Sequence, residues 1–191
     1  DDTADPELVA ADMVAQAEHD ENTSIVCVTD DEATAETVAE ACQQQAENRQ
    51  RREVIEAALD NDASGVLLAR SMPEAVLFAE EYAAEHLSIQ TADAESILDR
   101  IDSAGSVFLG AESPVAAGDY ASGPNHVLPT GGLAKVAGGL SVDHFVRSTT
   151  VQRLDDDALA DIRETVTTLA RAEGLEAHAE SVDRRFDGDD A

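Results

Sequence analysis

Residues 64–109 read SGVLLARSMPEAVLFAEEYAAEHLSIQTADAESILDRIDSAGSVFL, and three short apolar runs in this stretch are separated by two helical ones. Ser64 to Ala69 (SGVLLA), His86 to Gln90 (HLSIQ) and Ser106 to Leu109 (SVFL) have the length and composition of strands. Pro73 to about Ala84 and Ala92 to Ile101 have helical character. Strands alternating with helices imply crossover units, hence an α/β fold: a partial, Rossmann-like parallel sheet flanked by helices. Ligands on such sheets bind at the carboxyl ends of the strands.

The same alternation extends upstream. Asp5-Pro6 reads as an N-cap and first helical position, with Val9, Met13 and Gln16 recurring on one face of a helix that runs to about His19. Ser24 to Thr29 (SIVCVT) is a further strand, followed by a helical stretch from about Asp31 to Leu59 with a break near Asn48. Downstream the alternation stops. Gly118 to Phe145, GDYASGPNHVLPTGGLAKVAGGLSVDHF, is irregular and rich in glycine and proline. A helix led by Asp155 to about Ala172, a stop at Gly174 and a last helix from Leu175 to about Arg185 complete the pattern, with 186–191 an acidic tail. The organisation expected is an α/β portion over 1–140 and a C-terminal helical extension over 141–191.

With 191 residues the chain is long enough to bury one sizeable core. Its 41 acidic residues against 12 basic ones give a net charge of -29, and Lys135 is the only lysine. That charge repels phosphate backbones and anionic lipid, and no basic stripe is present, so nucleic acid is excluded as a partner. The carboxylates are spread along the chain, which points to adaptation to a concentrated-salt cytoplasm. No apolar run is long enough to span a bilayer, and no signal segment opens the chain, so a soluble, cytoplasmic protein without a membrane role is expected. Cys27 and Cys42 lie in separate elements with no CxxC pairing and read as free, largely buried thiols.

Several ionisable groups stand out. Gln16 and His19, three apart, can reach one point beyond the end of their helix; a helix-ending polar pair is the plainer alternative. Glu85-His86 joins a helix end to a strand start, where an acid and an imidazole can activate water and take a proton, or simply form a solvated turn. Asp119 offers a carboxylate for a cation, and His126, beyond Pro124, a donor for a substrate carboxylate; a long irregular segment in a compact domain is usually functional. Glu173 and His178 flank Gly174, which lets them converge. His144 reads as structural, and the pairs Gly131-Gly132 and Gly138-Gly139 match no dinucleotide fingerprint or P-loop.

Taken in order, QAEH (16–19), the helix-ending EHL (85–87), GDYASGPNHVLPTGG (118–132) and EGLEAH (173–178) resemble histidinol dehydrogenase, over about Asp1 to Arg185. The third stretch is the most specific, being long and low in generic helix or strand content. The resemblance implies NAD-dependent oxidation of L-histidinol to L-histidine through an aldehyde, the last steps of histidine biosynthesis, with a zinc ion that positions substrate. It implies Gln16, His19, Asp119 and His178 as zinc ligands, Glu85 and His86 as the catalytic pair, and His86, His126 and Glu173 as substrate contacts. It also implies a homodimer in which the C-terminal extension is exchanged, so that the last histidine serves the other subunit.

Two departures accompany the likeness. Ala84 stands where the family usually has proline before the catalytic glutamate. The N-terminal portion that carries most of the NAD contacts has no counterpart, and the chain opens at Asp1, so it is expected to be the C-terminal portion of a longer enzyme from a halophile. An inactive fragment that only binds zinc and dimerises is the alternative; a zinc hydrolase unrelated to NAD is a third.

Overall fold

The computed structural model describes residues 1–187, and the remainder of the expected acidic tail lies outside the described residues. The chain divides into two compact units, Asp1–Phe145 and Val146–Ala191, where the sequence reading divides it after residue 140.

The first unit is α/β. Helix α1 (Pro6–Ala17) begins as read, with the Asp5 side chain accepting from the Glu7 amide and Pro6 in the first turn. Strand β1 (Val26–Thr29) leads into α2 (Glu32–Ala46), capped by Asp31, and the expected break separates α2 from α3 (Arg52–Leu59). The series continues with β2 (Gly65–Leu68), α4 (Met72–Tyr82), β3 (His86–Ile89), α5 (Ala94–Leu98) and β4 (Ser106–Leu109). All pairing is parallel, as crossover helices require, but it forms two separate pairs rather than one sheet: β1 with β2, and β3 with β4. No described residue bridges β1 and β3 by strand pairing.

The main core lies where α1, α2 and α3 meet the first strand pair. Met13, Val14, Ile25, Val38, Cys42 and Ile55 are buried together with alanines 10, 17, 41, 46 and 58. Alanine at so many contact positions lets the helices approach closely, and the thiol of Cys42 lies 3.8 Å from the Met13 sulfur. Both cysteines are free, and burial pushes the Cys42 thiol up to about 11, with Cys27 nearby adding to the effect.

After β4 the chain is not irregular throughout. A short helix, α6 (Val115–Tyr120), carries Gly118 and Asp119, so the carboxylate expected on a loop sits on a helix. Two 3-10 turns follow, Leu133–Lys135 and Val142–Phe145. His144 has a local role, its Nδ1 accepting from the Ser141 amide at 3.1 Å.

The second unit is an antiparallel helix pair, α7 (Asp156–Ala172) and α8 (Glu176–Asp183), with Asp155 capping α7. Gly174, at φ 76°, ends α7 in a Schellman turn: the Leu175 amide donates to the Ala170 carbonyl (2.8 Å) and the Gly174 amide to that of Arg171 (3.0 Å). Asp183 then accepts from both Arg163 and Arg171 at 2.7 Å, and the Arg163 guanidinium stacks 4.5 Å from the Phe186 ring centroid. Phe186 is therefore part of the fold and not the first residue of a frayed tail. Among the described residues no helix is long and apolar enough to cross a membrane.

Candidate active site

The site is built around the start of β3. Helix α4 ends at Ala83, which is buried and left-handed (φ 53°), and two backbone bonds then fix the turn: the Gly105 amide donates to Ala84 and the Ser106 amide to Glu85, both at 2.9 Å. The glycine is needed there, since a Cβ on Gly105 would lie 2.6 Å from the Glu85 carbonyl oxygen. The turn that carries Ala84 and Glu85 is thus held by the segment that leads into β4.

His86, the first residue of β3, is largely buried, and its ring lies 6.0 Å from that of Phe108 on β4. Phe108 also supports α6: a Cβ on Gly118 would meet the Phe108 ring at 2.6 Å. Glycine at 118 therefore lets α6 settle onto that ring, and the next residue is brought to the imidazole. Asp119 Oδ1 stands 3.5 Å from His86 Nε2, both side chains being largely buried. That distance is long for a charged hydrogen bond, and Nε2 is a buried polar atom with no hydrogen-bond partner. An imidazole held this way, beside a carboxylate and with one nitrogen free, is equipped to take a proton from a bound group.

A cleft of about 700 Å3 opens beside these residues. Its walls include Glu85 and His86 together with Gln16 on the last turn of α1, in line with Val9 and Met13 as the helical spacing requires. Asp12, one turn before Gln16, also lines the cleft, and burial raises its carboxyl above the usual range, partly offset by the Val115 amide. Sequence reasoning missed Asp12; its i,i+4 spacing to Gln16 was the available signal. It also missed the supporting pair Gly118 and Phe108, for which a glycine preceding a polar helix-end residue is the only local hint.

The other candidates are more dispersed. His19 lies past the α1 C-cap and is exposed, its amide donating to the Gln16 carbonyl (3.2 Å) and its carbonyl accepting from Arg51 (3.4 Å), so it does not share the cleft with Gln16. His126 is exposed between α6 and the first 3-10 turn. Glu173, the C-cap of α7, and His178, on α8, belong to the second unit. Gln16, Glu85 and His86 line the cleft and Asp119 approaches His86; these residues lie at helix ends and at the amino end of β3, opposite to the strand end where open parallel sheets usually hold ligands.

An amide oxygen, a carboxylate and two imidazoles are a donor set suited to zinc. Among the described residues no three histidine, cysteine or acidic side chains converge in metal-ligating geometry; Gln16, His19 and Asp119 belong to the first unit and His178 to the second.

The comparisons give the chain its place. The family model for histidinol dehydrogenase matches residues 1–186. Histidinol dehydrogenase of Natronomonas pharaonis is 82% identical over 187 residues, 98% of this chain and 44% of the relative, and that of Haloarcula marismortui is 74% identical over the same shares. The crystal structure of histidinol dehydrogenase from Elizabethkingia anophelis matches with a TM-score of 0.92 at 37% identity, covering 96% of this chain and 42% of that one. The chain thus spans less than half the length of the relatives it matches, and it belongs to the histidinol dehydrogenase family.

Proposed function

We propose that this chain is the zinc- and substrate-binding portion of an NAD-dependent histidinol dehydrogenase, which oxidises L-histidinol to L-histidine through the aldehyde at the end of histidine biosynthesis. The observation that carries the reading is His86: a buried imidazole with an unpartnered Nε2, 3.5 Å from Asp119 and adjacent in sequence to Glu85. His86 accepts the proton of the substrate alcohol as hydride leaves for NAD, and Glu85 takes the proton of the water that attacks the aldehyde before the second hydride transfer. The turn fixed by Gly105 holds the two in sequence, and Phe108 limits the rotation of the imidazole. Were zinc bound, Gln16, His19, Asp119 and His178 would hold it, and it would supply a Lewis acid to the substrate. His126 and Glu173 bind the substrate carboxylate and amine.

The NAD contacts come from the rest of the enzyme. That this chain is the C-terminal portion rests on the order of its motifs. The second unit exposes Val146, Val151, Leu154 and Leu169 while burying only a few residues of its own, which favours exchange of this extension within a homodimer. The spread of acidic residues suits a salt-rich cytoplasm.

Mixing the chain with the complementary portion of the Natronomonas pharaonis enzyme, at molar salt with NAD, zinc and histidinol, tests this. NADH formation is expected. In that mixture His86→Ala lowers the alcohol step by about 10²–10⁴-fold, whereas Glu85→Gln spares it and accumulates aldehyde-level product. Equal loss of both steps in both variants contradicts the division of labour. The second reading, a zinc-binding and dimerising module without catalysis, is favoured by the dispersal of the ligands among the described residues; zinc binding with no NADH in any mixture supports it.

A further inference from the structure

The turn that carries Glu85 and His86 is held from outside itself. Helix α4 has ended, Ala83 is left-handed, and the backbone bonds that fix the turn come from Gly105 and Ser106. Residues 101–104, which lead into that support, belong to neither helix nor strand. The backbone amides of such a segment have no ladder to join and must find partners elsewhere.

One side chain supplies them. Glu80 lies on α4, one turn before Ala84. Its Oε2 accepts from the Asp102 amide at 2.9 Å and the Ser103 amide at 3.0 Å, and its Oε1 accepts from the Ser103 hydroxyl at 2.5 Å. Ser103 is only 8% exposed, so its polar groups depend on this partner. The Ser103 hydroxyl first, then the Asp102 amide, hold the Glu80 carboxyl below its ordinary value, so the acceptor is charged at neutral pH and the bonds are of the stronger, charge-assisted kind. The contacts close a ring. It runs from Glu80 to 102–103, along the chain to Gly105 and Ser106, across to Ala84 and Glu85, and back through the end of α4. The next carboxylate on the helix offers a contrast: Glu81 pairs with Lys135 Nζ at 3.0 Å, but its side chain is 87% exposed, and such pairs contribute little.

We propose that Glu80 is a positioning residue for the reaction: by fixing the 102–103 backbone it sets where Gly105 and Ser106 hold the turn, and so where the Glu85 carboxylate and the His86 imidazole stand. The inference rests on the reading of Glu85 and His86 as the catalytic pair. Ser106 is also the register partner of His86 and lies two residues before Phe108, whose ring is 6.0 Å from the imidazole. The clamp therefore fixes the backbone beneath the imidazole and the ring beside it together, at a distance from substrate.

Amide exchange read by NMR on the chain alone, at molar salt, tests the clamp. Steady-state rates in the mixture with the complementary portion of the Natronomonas pharaonis enzyme test its consequence. In Glu80→Ala the Gly105 and Ser106 amides should exchange about tenfold faster, while the Gly110 amide at the far end of the same strand pair, and the Gly65 and Ala69 amides of the other pair, keep their rates. In the mixture kcat should fall on the order of ten- to a hundredfold, with KM for NAD unchanged. Glu80→Gln, whose amide oxygen can take both backbone bonds, should recover both readouts to within about threefold, and Glu81→Ala, which removes a charge one residue away, should change neither. Unaltered Gly105 and Ser106 amides in Glu80→Ala overturn the clamp. Faster exchange at every one of these amides marks a general loss of stability and overturns the positioning role, as does a local change in exchange with kcat intact, or a Glu80→Gln variant no better than Glu80→Ala. If the wild-type mixture forms no NADH, the functional reading fails, and the amide pattern of the chain alone then upholds or overturns the clamp.

Discussion

The position of one carboxylate depends on the absence of one methyl group. Gly118 allows α6 to rest on Phe108, and the contact between Asp119 and His86 follows from that packing. Gly118→Ala should therefore cost about 1–3 kcal/mol through overpacking and should move Asp119 from the imidazole. The check is an unfolding midpoint together with the NMR shifts of the His86 ring; a variant of unchanged stability and unchanged ring shifts contradicts the packing argument. Asp12 gives a pH signature of unusual sign for an acid. Burial raises its carboxyl in the folded state, so the folded chain binds the proton more tightly than the unfolded one. Its contribution should be most favourable at low pH and decline as pH rises from the ordinary aspartate range through the raised value. Glu80 acts in the opposite sense, lowered by the Ser103 hydroxyl and the Asp102 amide, and its contribution is lost as pH falls. Asp12→Asn should remove the first dependence and leave the second, as followed by unfolding midpoints across acidic pH.

At the scale of elements, much of the architecture was legible and the exceptions have physical causes. The Asp5-Pro6 cap, the break between α2 and α3, the four strands and the Gly174 stop are local signals, and each is where the sequence places it to within a few residues. Helix α6 was not legible, because VAAGDY is short, contains glycine, and owes its helical form to packing on Phe108. The division of the sheet into two pairs was equally hidden, since strand neighbours are chosen by contacts remote in sequence. The site shows the same limit. Glu85 and His86 announce themselves as an acid-imidazole pair at an element boundary, but the approach of Asp119 and the exposure of His19 arise from tertiary packing. Within the second unit the Schellman turn is the element to perturb. Gly174→Ala places a Cβ at φ 76° and should destabilise the α7–α8 pair by about 1–2 kcal/mol, visible as a lowered unfolding midpoint. No change would mean that the turn reorganises without loss.

For the molecule as a whole, charge dominates. A net charge of -29 on 191 residues makes the folded state repel itself wherever screening is weak. The screening length is about 3 Å at 1 M salt and about 10 Å at 0.1 M, so dilution from molar salt should lower the unfolding midpoint steadily. A midpoint independent of salt contradicts salt adaptation. The measurement that tests the central claim most directly is zinc bound per chain at molar salt, for the wild type and for His178→Ala, in the presence of the complementary portion. About one zinc per chain in the wild type, lost in the variant, is the result expected if Asp119 and Gln16 of the first unit share a metal with the histidine of the second. No stoichiometric zinc in the wild type, or full retention in the variant, contradicts it.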